Sequence, residues 1–344
     1  MGPRARAFLE RVGRYKHYFW PTIGVLAVIF CGWLLYKEIR GLTFTSLLRS
    51  FAEIPATGWL LAVAATLVAY VSLAEYDRVA LVHLGRKFPW PFVMVASFTT
   101  YSLSHNIGAS LLSGTIIRFR AYGSRGLSPG EIAVLVAVTS FTFLVGALTL
   151  GGLVMVIKPS VIQRYFDVPD WTMIVLGLTL LSVVGFYLVG SLFHFKPVTI
   201  AGFHIYYPKP NVVIRQLIVG PVELLAAAAI IYFCLPAEGN PGFITVVGVF
   251  VAAFSMAILS HAPGGLGVLE YVFLTGLNDM DQAQVLAALI VFRLLYLLLA
   301  FAAALVIVLF FERSEFRRNA RERLASGESG PPASAPERSD VHGT

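Results

Sequence analysis

The sequence predicts an all-α polytopic membrane protein of about eight apolar segments in two pseudo-repeated halves, and three observations predict it. Hydrophobic residues make up 57% of the chain and charged residues 13%, with a mean hydropathy of +0.77. A water-facing domain carries about 25% charged residues, so most of this surface must face lipid. Eight apolar runs approach the roughly 20 residues a helix needs to cross hydrocarbon while satisfying its own backbone. Trp20, Trp59, Trp90 and Trp171 stand near run ends, where aromatic rings anchor at the interface.

In chain order, a basic arm over residues 1–17 carries Arg4, Arg6, Arg11, Arg14 and Lys16. The first run, Tyr18–Tyr36, follows without a small-residue cleavage site and reads as a retained helix. The second, Thr57–Tyr76, is closed by Glu75, Asp77 and Arg78, read as interfacial charges. The third, Trp90–Leu112, is followed by Arg118, Arg120 and Arg125. Ile132–Ile157, Trp171–His194 and Val212–Leu235 come next. Phe243–Leu259 runs into a Gly/Pro-rich stretch, and Val285–Phe311 completes the set. The membrane domain is thus 18–311, with halves of about 18–165 and 166–311. A tail over 312–344 begins with Arg313, Arg317, Arg318, Arg321 and Arg323, and its later Ser, Gly, Pro and Glu predict disorder.

The net charge of +7 sits mainly at the ends and in loops, an orientation pattern that argues against nucleic acid as a partner. With eight full spans both termini share one side, together with Arg78, Arg86, Lys87, Lys158 and Arg164. That side is predicted to be the cytoplasm, and the membrane an inner membrane. Arg118, Arg120 and Arg125 break the rule, because they face outward if the third run spans. Either that run re-enters, or the arginines stand there for another reason. Cys31 and Cys234 fall inside apolar runs and read as small buried hydrophobes rather than a disulfide or metal pair.

The third run of each half carries a matching string, Leu103-Ser104-His105-Asn106-Ile107-Gly108 and Leu259-Ser260-His261-Ala262-Pro263-Gly264. Gly108, Pro263, Gly264, Gly265 and Gly267 interrupt helix and free backbone groups that only protein or a watery cavity can satisfy. Paired broken segments are the sequence pointer to a transporter's central site. If both re-enter the repeat is inverted; if both span it is parallel.

Ionisable groups inside apolar segments cost several kcal/mol, so their placement carries information. A half-helix starting at Gly264 would aim N–H groups at an anion, with Glu270 about one turn inside. Glu270 is a cap, a partner for a cation or a headgroup contact; the plainer alternative pairs it with Arg293. Arg118 suits a lipid phosphate, since a guanidinium binds phosphate bidentately; Arg120 lies on another face. His105 and His261 read as hydrogen-bonding groups lining a path, with no metal site among them. Arg293 needs a carboxylate, Glu270 or Glu223. No nucleophile elbow, P-loop, dinucleotide fingerprint or other cofactor motif is present.

Tyr101 to Gly108, Gly114 to Arg118 and Gly126-Leu127-Ser128, with Pro263 to Glu270, resemble the hallmark blocks of the lysylphosphatidylglycerol synthase transmembrane family. The resemblance runs from about Thr22 to Phe311. It implies a flippase-like domain that moves lipid between leaflets, here without the soluble aminoacyl-transfer domain of two-part members, and so not an enzyme. The expected function is translocation of a phospholipid or lipid-linked headgroup. Arg118, His105, Asn106, His261, Gly264, Gly265, Gly267 and Glu270 would contact substrate, and Gly108, Pro263, Glu223 and Arg293 would shape or gate the path. The alternatives are a membrane accessory to a partner lipid-modifying enzyme and, ranked last, an integral-membrane transferase using Glu270 or His105 as base. No energy source is visible, which favours facilitated or ion-coupled movement.

Overall fold

The computed structural model describes residues 44–107, 110–165, 168–193, 198–200, 203–205, 208–260 and 263–310. The basic arm, the run Tyr18–Tyr36 with Cys31, and the tail lie outside the described residues, as do Gly108 and His261.

A short helix α1 (Phe44–Glu53) precedes α2 (Ala56–His83). After α2 come α3 (Trp90–Ile107), α4 (Ser110–Gly123) and α5 (Pro129–Ile157). A single turn, α6 (Ser160–Gln163), leads to α7 (Asp170–Leu192). Two three-residue strands, β1 (Val198–Ile200) and β2 (Phe203–Ile205), then pair antiparallel with Val198 opposite Ile205. The second half continues with α8 (Pro210–Cys234), α9 (Phe243–Leu259), α10 (Val268–Gly276) and α11 (Gln282–Phe292). The last helix runs on through a π-helical stretch, Arg293–Leu299, to Phe310. Among the described residues, α2, α5, α7, α8 and Gln282–Phe310 are the 5 helices long and apolar enough to cross a membrane. The strand pair between α7 and α8 has no counterpart in the sequence reading.

The third and seventh runs do not cross. Phe92 and Tyr122 lie 5.5 Å apart, the Arg118 guanidinium sits 5.0 Å over the Tyr101 ring, and a Cβ on Gly114 would come within 2.8 Å of Ser104 Oγ. Those pairings converge on residues 108–109, so α3 and α4 form an antiparallel hairpin that enters and leaves on one face. In the same way, a Cβ on Gly265 would meet Ala257 Cβ at 3.0 Å and one on Gly276 would meet Val249 Cγ2 at 2.9 Å. α9 and α10 therefore fold back too.

Tracing the chain gives the sides. α2 leads to the face holding Arg86, Lys87 and the first hairpin's open end, where Arg86 Nε donates to Glu131 Oε1 at 2.7 Å. α5 starts there from a capping box: Ser128 Oγ accepts from the Glu131 amide while Glu131 Oε2 accepts from the Ser128 amide. It returns to the opposite face, where Lys158 Nζ donates to Pro241 O and Thr245 Oγ1, and Arg164 pairs with Asp279. The second hairpin opens on that opposite face. Span, re-entrant hairpin, span thus occurs twice in opposite orientations, which makes the repeat inverted. One open alternative is decided and one placement is corrected. The third run re-enters, so Arg118, Arg120 and Arg125 lie toward the face of Arg86 and Lys87. Lys158 and Arg164 lie on the other face, where a count of eight full spans had not put them.

α2 and α8 cross at the centre of the fold, and α8 also packs on α5 through glycine. A Cβ on Gly146 would fall 2.6 Å from the Gly220 carbonyl carbon, and one on Gly220 would fall 2.7 Å from Thr142 O. Backbone meets backbone here, as small residues permit between membrane helices. Gly220→Ala is expected to cost about 1–3 kcal/mol through overpacking. Gly185→Ala, where nothing lies within 4 Å, is expected to cost nothing. Thermal unfolding midpoints in detergent would check both.

Candidate functional site

The two hairpin tips meet beside the middle of the last helix. Asn106 Nδ2 donates to Leu297 O at 3.1 Å, and Arg293 Nη1 donates to Gly264 O at 2.9 Å. A Cβ on Gly264 would stand 3.8 Å from His105 O. The π-helical stretch matters here, because its wider turns leave main-chain carbonyls for outside donors. Tyr296 O accepts from Tyr70 Oη at 2.8 Å, and Leu297 O accepts from Asn106.

The Gly-rich tip of the second hairpin is shaped by backbone that only glycine adopts readily. Gly264, Gly265 and Gly267 have φ of 58°, 64° and 79°. The half-helix starts at Val268, four residues later than the expected start at Gly264, because those left-handed residues turn the chain first. Glu270 closes its first turn: Oε2 accepts from the Gly267 amide at 2.9 Å, while Oε1 accepts from Arg293 Nε at 2.6 Å. Arg293 Nη1 and Nη2 reach the carbonyls of Gly264 and Gly265. Arg293 is therefore paired with Glu270 rather than Glu223, and both oxygens of Glu270 are engaged within the protein.

The first hairpin is fastened differently. Arg118, 5% exposed, donates from Nη2 to Asp77 Oδ1 at 2.7 Å, and Tyr122 Oη donates to Asp77 Oδ2 at 2.8 Å. Asp77 is completely buried, which corrects its reading as an interfacial charge. α2 continues past it to His83, and the apolar stretch Val79-Ala80-Leu81-Val82 was the signal available in the sequence. Glu75 and Arg78 pair with each other at 3.0 Å and are partly exposed. Gly114 lets the two arms approach closely enough for Arg118 to lie against Tyr101. Three enclosed polar atoms have no hydrogen-bond partner among the described residues: Arg118 Nε, His105 Nδ1 and Thr99 Oγ1.

Between these fastenings lies an aromatic cluster that sequence reasoning missed. His105 stacks on Tyr296 at 5.6 Å and tilts against Tyr101 at 5.8 Å. Glu223, near the middle of α8, accepts from Tyr296 Oη at 2.7 Å, and Tyr76 Oη lies 3.5 Å from its other oxygen. Tyrosines read as interfacial anchors in a linear scan; only the crossing of α2, α8 and the last helix brings Tyr70, Tyr76 and Tyr296 together. The structure thus gathers His105, Asn106, Gly264, Gly265, Gly267, Glu270 and Arg293 at the tips. Arg118 stands apart, nearer the mouth of the first hairpin.

Comparison with known proteins adds a lineage to this geometry. The profile of the family described as Lysylphosphatidylglycerol synthase TM region matches residues 22–304. The chain is 30% identical over 306 residues to an uncharacterised protein of Synechocystis sp., covering 89% of this chain and 95% of that one. It is 27% identical over 269 residues to the inner membrane protein YbhN of Escherichia coli, covering 77% and 84%. Similarity to the phosphatidylglycerol lysyltransferase of Staphylococcus aureus is 24% over 318 residues, which is 91% of this chain but 36% of that protein.

Breaking a buried ion pair from one side leaves a lone charge and costs about 3–5 kcal/mol. Asp77→Ala and Arg118→Ala are each expected to lose stability on that scale. The double variant is expected to lose less than the two together, by a coupling of about 0.5–3 kcal/mol. Unfolding midpoints of the four proteins check this, and simple additivity would contradict the pairing.

Proposed function

The chain belongs to the lysylphosphatidylglycerol synthase TM-region family, and on that premise we propose that it is a lipid translocase of the bacterial inner membrane. It moves the headgroup of an anionic phospholipid or lipid-linked substrate between leaflets while the acyl tails stay in the bilayer. The observation that carries this reading is the pair of re-entrant hairpins entering from opposite faces and meeting tip to tip. Broken helices at the interface of inverted repeats are where transporters place their substrate sites. The similarity to the Staphylococcus aureus phosphatidylglycerol lysyltransferase supports an anionic phospholipid.

In this proposal Arg118 holds the phosphate. Its Nε is an unspent donor, and Asp77 with Tyr122 keeps the guanidinium charged and oriented until a phosphate competes for it. His105 and Asn106 line the path at the tip of the first hairpin; His261, outside the described residues, keeps its expected role as a substrate contact. Glu270 and Arg293 act as a latch whose opening releases the carbonyls of Gly264 and Gly265 and the amide of Gly267. The face of Arg86, Lys87, Arg120 and Arg125 is the cytoplasmic one in this proposal, since across the membrane Arg164 is neutralised by Asp279. A second reading, a non-catalytic accessory to a lipid-modifying enzyme, is favoured by the lysyltransferases, in which the matched stretch is a minor part.

Fluorescent phosphatidylglycerol in proteoliposomes tests the proposal. Arg118→Lys keeps a positive charge against Asp77 but loses the planar fork. A lost charged hydrogen bond is worth about 1.5–3 kcal/mol, so lipid movement is expected to slow roughly 10- to 150-fold with the fold retained. Wild-type rates in both Arg118→Lys and Glu270→Gln would overturn the site. A folded wild-type protein that moves no headgroup would leave the accessory reading.

A further inference from the structure

The buried acids of this membrane domain are not equivalent. Asp77 and Glu270 each face an arginine, Arg118 and Arg293. Glu223 is 3% exposed near the middle of α8, and among the described residues no cation is paired with it. Its partners are hydroxyls: Tyr296 Oη at 2.7 Å from Oε1 and Tyr76 Oη at 3.5 Å from Oε2. We propose that Glu223 is the proton-binding site that couples lipid movement to the transmembrane proton gradient. The inference rests on the translocase reading and supplies its energy source.

The geometry suits a group that changes charge in place. A lone carboxylate at mid-bilayer costs several kcal/mol, and uptake of one proton from water removes that charge without a counter-ion. Tyr76 Oη stands 3.3 Å from Gly220 O and 3.5 Å from Glu223 Oε2, and it has one hydrogen to give. With the carboxyl protonated, Tyr76 can donate to Gly220 O and accept from Glu223. With the proton gone, the Tyr76 hydrogen turns to the carboxylate. A bound metal cation would call for several oxygens at about 2.0–2.6 Å, whereas both hydroxyls here stand at hydrogen-bonding distance or beyond.

The titratable groups facing Glu223 are Tyr76 and Tyr70 from α2 and Tyr296 from the last helix. α9 contains no titratable residue, α5 has only Glu131 in its first turn, and Tyr187 of α7 bonds instead to Gln216. Arg293, one turn from Tyr296, is committed to Glu270. The charge state of Glu223 can reach the moving part directly. Tyr296 carries the ring of His105 at the first hairpin's tip, and Ser102 of α3 donates to Tyr70 Oη. Pro221, two residues away, removes a main-chain donor from α8 and makes that stretch easier to deform.

The experiment uses full-length protein in proteoliposomes with fluorescent phosphatidylglycerol and an imposed pH difference, with protein-free vesicles as baseline. One proton per lipid is expected to shift the steady-state distribution between leaflets about tenfold per pH unit. Glu223→Gln is expected to give no such shift, and Glu223→Asp to keep it. An infrared carboxyl band that titrates in the wild type and is missing from Glu223→Gln reads proton binding independently of transport. A Glu223→Gln protein that follows the pH difference like the wild type overturns the inference. So does a wild type that moves lipid but responds only to sodium, or to no gradient; both outcomes leave the translocase reading standing. A wild type that moves no lipid defeats that reading instead, and an infrared band unchanged in Glu223→Gln defeats proton binding itself.

Discussion

Hydrocarbon offers no partner to a bare amide, a bare carbonyl or a lone charge, and the rest of this structure depends on that constraint. Each place where a helix breaks is a place where protein supplies what water would have given. The carbonyls of Gly264 and Gly265 are taken by Arg293, and the first turn of α10 is closed by Glu270. The π-helical carbonyls of Tyr296 and Leu297 are taken by Tyr70 and Asn106. These bonds join one half to the other, since Tyr70 and Asn106 belong to the first half and the last helix to the second.

The same constraint explains why the two hairpins are fastened by ion pairs in different ways. In the first, Arg118 on the outgoing arm is tied to Asp77 on the preceding span. In the second, Glu270 on the outgoing arm is tied to Arg293 on the following span. The signs are reversed and the neighbour differs, although the architecture repeats. A pair buried in low dielectric resists separation, so either hairpin can shift only if its arginine finds another anion and its carboxylate a proton or another cation. A phosphate can take up the Arg118 guanidinium, and Asp77, which keeps the Tyr122 hydroxyl, then has to gain a proton or a second cation.

Much of the fold was legible because lipid imposes a simple rule on composition. The five long helices begin and end within a few residues of their apolar runs, except α2, which runs on to His83. There a linear scan stopped at Asp77, because a charge reads as an interface until its partner is known. The partner, Arg118, stands 41 positions on in sequence and reaches Asp77 only because α4 turns back beside α3. Hydropathy measures the length and apolarity of a run and not its direction, so it left open whether the third and seventh runs span or re-enter, and on a count of eight spans it put Lys158 and Arg164 on the wrong face. The Gly/Pro breaks and the Leu-Ser-His-x-x-Gly match did mark the tips. The tyrosines around Glu223 left no such mark, since their meaning lies in a crossing of three distant helices.

That crossing is also where the two halves have the least freedom to move independently. Gly146 and Gly220 bring α5 and α8 into backbone contact, and Tyr76 bonds to the carbonyl of that same Gly220. Glu223 lies less than one helical turn beyond. A change in charge at this carboxyl therefore acts on a tight junction, where a small displacement cannot be absorbed by loose packing and must pass to whatever can yield. The parts with more room to yield are the hairpin ends: the first is held at Asn106 by one bond to Leu297 O and at His105 by a stacked ring, and the second by the Arg293 bonds to Glu270, Gly264 and Gly265. On the proposed translocase reading, this tight crossing is the fixed part against which the two hairpins move.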